Sequence, residues 1–317
     1  MKKFFYLFII SLFINVSCSP KWKEKTSGNL VTVNNEGRAK LQYHKESGVT
    51  LLVVDRYAFK DLNKNGILDP YEDWRLIAQD RAIDLASKMT INQIAGLMLY
   101  SKHQAIPASS QGFFKGTYDE KTLEESGANP SDLTDQQKKF LSNDNLRHVL
   151  ITSVLSPKIA AEWNNKAQSF VEGIGLGIPI NISSDPRHQS RADAEFNAGS
   201  GGEISMWPTT LGLAATFNPA IVENFGNIAS KEYRALGITT ALSPQIDLST
   251  DPRWLRFNGT FGENPRLATD MTRAYIDGFQ NSMKNTVITD GWGLESVNAM
   301  VKHWPGGGTG EAGRDAH

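Results

Sequence analysis

Charged residues gather after three short apolar runs in the second half of the chain. The run "IPINIS" is followed by Asp185 and Arg187, and "TTALSPQID" by Asp251, Arg253 and Arg256. After "VNAMV" stand Lys302 and His303, with tryptophans close by in sequence. If the runs are parallel strands of one sheet, these groups share a rim. Carboxylate acceptors and cationic donors beside aromatic surfaces suit a polyhydroxylated sugar, whose hydroxyls both accept and donate hydrogen bonds. Any one of these residues alone reads as a solvated loop charge. Three strand ends together read as a binding site.

A second constellation lies in "DLNKNGILDPYE". A twelve-residue calcium loop needs oxygen ligands at positions 1, 3, 5, 7, 9 and 12, with glycine at 6. Counting from Asp61 gives Asp61, Asn63, Asn65, the Ile67 carbonyl, Asp69 and Glu72, with Gly66 at the sharp turn. The spacing predicts a structural Ca2+ site. The alternative is a turn whose Asp and Asn side chains bond their own backbone. A helical pattern follows the loop, but "GVTLLVVDRYAF" before it reads as a strand. The two-helix lever of a calcium sensor is therefore missing.

The elements that must position the rim residues are legible as apolar runs alternating with helices. Ser156-Pro157, Asn218-Pro219 and Asn264-Pro265 each pair a capping side chain with proline at the first helical position. Thr90 and Gln93 form a capping-box pattern. Residues 101–145 read as a polar surface excursion with a short helix near Leu133 to Leu141. Strands alternating with helices predict a parallel α/β architecture. "GIGLG" at 173–177 comes after a helix and before a strand, which marks a turn and not a phosphate-binding site. A (β/α)8 barrel fits best, and in barrels the chemistry sits at the C-terminal ends of the strands.

The first eighteen residues read as a secretory signal, with Lys2-Lys3 ahead of an apolar run too short to span a bilayer. Cys18, the one cysteine, resembles the lipidation site of bacterial lipoproteins, which predicts membrane attachment in the periplasm or at the outer membrane. A single cysteine excludes an internal disulfide framework. With 33 basic and 34 acidic side chains and no basic run, the composition argues against nucleic acid as a partner. The expected organisation is a signal over 1–18, a polar tether or strap over 19–57, the calcium-type loop over 58–75 and a partial barrel, short of eight strands, over 76–317.

The stretches "GIPINISSD", "LSPQIDLSTDPRWLR", "FGENPRLATDM" and "VKHWPGGG" are similar to glycoside hydrolase family 3, in the same order, from about Tyr71 onward. The resemblance implies a retaining, exo-acting β-glucosidase-type enzyme, with a β-glucoside or oligosaccharide substrate and no cofactor for catalysis. It implies that Asp185, Arg256, Lys302 and His303 bind hydroxyls of the terminal sugar. It also implies a nucleophilic aspartate beyond His317, so the 317 residues alone are expected to be inactive. Two departures stand out: Leu255 where many members have glycine, and Gly259 where an acidic residue is common nearby. Two other readings remain. One is a β-N-acetylhexosaminidase of the same family using an Asp315/His317 dyad. The other is a non-catalytic carbohydrate-binding lipoprotein.

Overall fold

The computed structural model describes residues 19–189, 203–281, 292–304 and 306–315. The expected signal segment, Cys18 and His317 lie outside the described residues. The chain divides into two compact units, Met1–Leu85 and Ala86–His317.

The first unit overturns the expectation of a tether. β1 (Trp22–Ser27), β2 (Leu30–Asn35) and β3 (Lys40–His44) form an antiparallel sheet, and β4 (Thr50–Val54) pairs antiparallel with β5 (Tyr57–Asp61). Alternation explains it. Val31 and Val33 of β2 point inward and pack with Ala58, while Leu30 and Asn34 face solvent. β1, with Lys23, Glu24 and Lys25, is exposed apart from Trp22, which packs partly against that cluster. "GVTLLVVDRYAF" is a hairpin and not one strand, because Asp55 and Arg56 both adopt positive φ, the geometry of a tight two-residue turn. Asn35 ties the two sheets together, accepting from the Ala58 amide at 2.8 Å and donating to its carbonyl at 3.1 Å. Trp74 stacks on Phe59 with ring centroids 5.0 Å apart and donates its indole N–H to Ala58.

The loop after β5 closes on itself. The Asp61 carboxylate accepts from the amides of Asn65 and Gly66, at 3.1 and 3.0 Å. Glu72 accepts from Leu62, Asn63 and Asp69. Asp69 accepts from the carboxamides of Asn63 and Asn65, at 2.6 and 2.8 Å. Gly66 takes the positive φ that the turn requires. Among the described residues no group of three or more His, Cys, Asp or Glu is gathered as a metal site. Asx-type bonding accounts for the closure of the loop. The next element is α1 (Ala78–Lys88).

The second unit is a TIM-barrel-like α/β fold. After α2 (Ile91–Leu97), β6 (Gln104–Ile106) opens a parallel sheet that lies inside the segment expected to be a surface excursion. α3 (Leu123–Ser126) and α4 (Asp135–Ser142) lead to β7 (His148–Val154), α5 (Pro157–Glu172) and β8 (Asn181–Ser184). α6 (Thr210–Ala214) and α7 (Pro219–Leu236) precede β9 (Thr240–Ala241), and α8 (Pro265–Gln280) precedes β10 (Asn298–Ala299). The five strands lie side by side in chain order, all parallel, as successive strand–helix winding demands. The three Pro-initiated helices are capped as their sequences require. Ser156 accepts from Ile159, Asn218 from Ala220, and Asn264 from Arg266 and Leu267.

The core between sheet and helices holds Trp163, Ile182, Tyr233, Met271 and Phe279. α7 and α8 approach closely enough that only glycine fits at the crossing. A Cβ on Gly278 would lie 2.4 Å from the Glu223 carbonyl oxygen and 2.9 Å from the Gly226 Cα. Gly278→Ala is therefore expected to destabilise the fold by roughly 1–3 kcal/mol, although alanine is the better helix former by about 1 kcal/mol. Denaturant unfolding checks this. A variant as stable as the parent would show that the helices separate at no cost.

Candidate functional site

The rim is built from strand ends, each held by a different buried anchor. Asp185 directly follows β8, and the buried Tyr233 of α7 donates its hydroxyl to the Asp185 carbonyl at 2.8 Å. Arg187 was expected to face the rim, but its side chain is fully buried. It donates to Ser184 Oγ at 2.8 Å and to the Ile151 carbonyl at 3.1 Å, tying the end of β8 to β7. Burial lowers its pKa. It is a structural strut and not a sugar donor.

The chains leaving β9 and β10 stay paired beyond the strands themselves. The Ile246 amide donates to the Lys302 carbonyl at 2.7 Å, and the Lys302 amide to the Pro244 carbonyl at 3.0 Å. This pairing places Lys302 Nζ 2.6 Å from Asp185 Oδ1. One residue on, His303 Nδ1 lies 2.7 Å from Asp247 Oδ2. Because the partner is a carboxylate, Nδ1 must be the protonated nitrogen, which fixes the tautomer and the tilt of the ring.

Asp247 is the anchor of this corner. Its side chain is fully buried, and it accepts from the amides of His303 and Gly307 at 3.3 and 2.7 Å as well as from the imidazole. Burial pushes its pKa up. The hydrogen bonds from His303 and the Gly307 amide outweigh this and hold the carboxyl below its ordinary value of 3.8. Gly307 of "WPGGG" permits the approach, since a Cβ there would sit 3.0 Å from His303 Cβ and 3.4 Å from Asp247 Oδ1.

Arg256 precedes a short 3-10 turn, Phe257–Gly259, and its Nη2 comes within 3.5 Å of Gln245 Oε1. These groups surround one pocket of about 510 Å³, whose wall includes Asp185, Gln245, Arg256, Lys302, His303 and Asp315. The four residues expected to bind hydroxyls are thus brought together. Asp315 reaches the same wall, while its expected partner His317 lies outside the described residues. Asp251 and Arg253 do not join the wall. They pair with each other at 2.6 Å on the loop, and Arg253 holds the Asp251 carboxyl down at about 2. Two contributors, Asp247 and Gln245, carried no assigned role in the sequence, although both sit in "LSPQID". The available signal was their place at the end of the run "TTALSPQID", just ahead of the charged loop.

Chemically, the pocket offers two carboxylates, Asp185 and Asp315, two cationic donors and an oriented imidazole. That set can hold adjacent hydroxyls of one neutral ring.

Comparison with known proteins agrees with the geometry. The family model described as "Glycosyl hydrolase family 3 N terminal domain" matches residues 118–317. The chain is 43% identical over 273 residues to a periplasmic β-glucosidase/β-xylosidase of Dickeya chrysanthemi, covering 85% of this chain and 38% of the relative. It is 35% identical over 260 residues to β-glucosidase C of Emericella nidulans, covering 81% of this chain and 37% of the relative. The crystal structure of a Listeria innocua β-glucosidase superposes with a TM-score of 0.51 at 26% identity, covering 75% of this chain and 28% of that one. The chain thus spans well under half the length of the relatives it matches. On the match over residues 118–317, this chain belongs to glycosyl hydrolase family 3.

Proposed function

We propose that this chain supplies the terminal-sugar pocket of a retaining, exo-acting β-glucosidase-type enzyme that hydrolyses O-glycosyl bonds and removes terminal β-D-glucosyl residues. The observation that carries the reading is the convergence of Asp185, Arg256, Lys302 and His303 on one pocket wall. The names of the Dickeya and Emericella relatives support it, as β-glucosidase or β-xylosidase. A pocket, as opposed to an open cleft, suits the end of a sugar chain. In the full-length protein, Lys302→Ala and Asp185→Ala are each expected to lower kcat/KM on an aryl β-glucoside at least ten-fold. Each removes a charge-assisted contact worth about 1.5–3 kcal/mol, and ten-fold corresponds to about 1.4 kcal/mol. Losses below two-fold in both variants would remove these residues from the substrate.

A second reading, β-N-acetylhexosaminidase chemistry, is favoured by one observation: Asp315 stands in the pocket wall. Turnover of an aryl N-acetylglucosaminide above that of the β-glucoside would select it. A purely sugar-binding lipoprotein would turn over neither.

We propose export to the periplasm with attachment through Cys18, supported by the sequence of the first eighteen residues and by the periplasmic Dickeya relative. The wild type should partition into detergent, and Cys18→Ala should release it into the soluble periplasmic fraction. Recovery of wild-type protein in the soluble fraction would end this assignment. Structural Ca2+ in the Asp61–Glu72 loop is a separate proposal, supported by the ligand pattern of the sequence. It requires a higher unfolding midpoint with calcium than with chelator, a difference that Asp61→Ala abolishes. Equal midpoints would leave the loop to its own hydrogen bonds.

A further inference from the structure

Resting on the sugar-pocket reading above, we propose that Leu255 and Phe113 form an apolar lip at the mouth of the pocket. The lip receives the leaving group and selects β-glucosides whose aglycone is an apolar chain. The pocket is graded from floor to mouth. Leu150, Thr210, Leu242 and Ser243 line it and are buried, while the Asp185–Lys302 pair is partly accessible. Leu255 lines the same pocket at 71% exposure, so it stands where the pocket opens to solvent. A lone exposed leucine on a surface needs no explanation. This one lines a pocket and is held out by its backbone. Trp254 before it is buried, its amide donates to the Asp251 carbonyl at 3.1 Å, and its carbonyl accepts from the Phe257 amide at 3.2 Å. Gly313 packs on the same stretch, where a Cβ would lie 2.8 Å from Arg253 Cβ and 3.0 Å from the Trp254 nitrogen. With Trp254 anchored in the interior and Arg256 in the pocket wall, the leucine between them stays outside the core.

Phe113 comes from a different strand end. The strands are parallel, so the loops after β6 and after β9 leave the same rim. The loop after β6 doubles back on itself, the Ser109 amide donating to the Phe114 carbonyl and the Gly116 amide to the Ser109 carbonyl, both at 3.0 Å. Within it Phe113 is 62% exposed, and its ring meets His103 of the pocket wall edge-on with centroids 5.7 Å apart. A terminal sugar whose hydroxyls reach the charged pair has its glycosidic bond directed outward, and the group beyond that bond meets the lip. A second sugar, hydrated on most of its surface, gains little there. An apolar chain removes its own surface and that of both side chains from water, and the gain grows with the length laid against them.

The test measures kcat/KM of the full-length protein on methyl, butyl and hexyl β-D-glucosides, whose leaving alcohols differ in apolar length and hardly in acidity. The wild-type value should rise along the series. Leu255→Ser should lower the hexyl-to-methyl ratio about five-fold, less than the full range of roughly 10–200-fold that one methylene can carry in an enclosed apolar pocket. Phe113→Ser should lower the ratio in the same direction, and it decides the matter if Leu255→Ser does not fold. Lys302→Ala should reduce all three values together and leave the ratio at its wild-type level, because it acts on the sugar that the three substrates share. An unchanged ratio in either folded lip variant, or a wild type without preference along the series, would overturn the inference while leaving the sugar-pocket reading intact. A wild type inactive on every glycoside would defeat that reading itself and, with it, this one.

Discussion

A single buried carboxylate organises the functional corner. Asp247 accepts three hydrogen bonds, from one side chain and two backbone amides, and its side chain is wholly enclosed. A buried charge without such partners would neutralise itself or destabilise the fold. Here the partners come from the stretch that carries the pocket-lining pair, Lys302 and His303. The cost of burying Asp247 is thus offset only when His303 and Gly307 are in place. Ordering of the Lys302–His303 corner and stability of the strand end become one event. The sign of the pKa shift agrees: a carboxyl held below its ordinary value contributes stability that is fully present above that ordinary value and is lost as pH falls from there through the lowered one.

The other rim residues depend on the same principle with different anchors. Asp185 has its carbonyl held by Tyr233, and the strand end before it is strapped to β7 by Arg187. Both anchors sit in the helix–sheet core, where a shift of one side chain is resisted by close packing. Position at the rim is therefore specified several residues away from it. The Gly226–Gly278 contact belongs to this chain of causes, since it sets how closely α7, which carries Tyr233, lies against α8.

What was legible in the sequence follows from how local each signal is. The Ser-Pro and Asn-Pro caps, the Thr90–Gln93 box and the glycine at the end of α7 are short-range and were readable, as was the placement of Asp185 and Lys302 after apolar runs. β6 was not, because a three-residue strand with a register shift carries no periodicity. β1 to β3 were hidden because β1 is a nearly fully exposed, charged strand, and the inner face is marked by only a few spaced apolar residues, Trp22, Val31, Val33, Leu41 and Tyr43. Arg187 was misplaced because a lone arginine in a sequence does not disclose that its partners are Ser184 and a carbonyl 36 residues earlier. Gln245 and Asp247 were missed for the complementary reason. Each gains its meaning from a residue further along the chain, Arg256 for one and His303 for the other.

On the proposed sugar-pocket reading, the Lys302–Asp185 pair suits a ligand that carries no charge. Lys302 and Asp185 neutralise each other at 2.6 Å while both remain partly accessible, at 15% and 22% exposure. A bare carboxylate or ammonium in that place would attract counter-ions, which a neutral sugar would have to displace. A hydroxyl inserted beside the pair instead accepts from the ammonium and donates to the carboxylate without changing the net charge. The pair therefore selects for groups that do both, which alcohols do and simple ions do not. On that reading its strength would grow as a sugar excluded water, because the effective dielectric falls around contacts already formed. Binding and desolvation then reinforce one another, and the oriented imidazole of His303 needs no further reorganisation to take part.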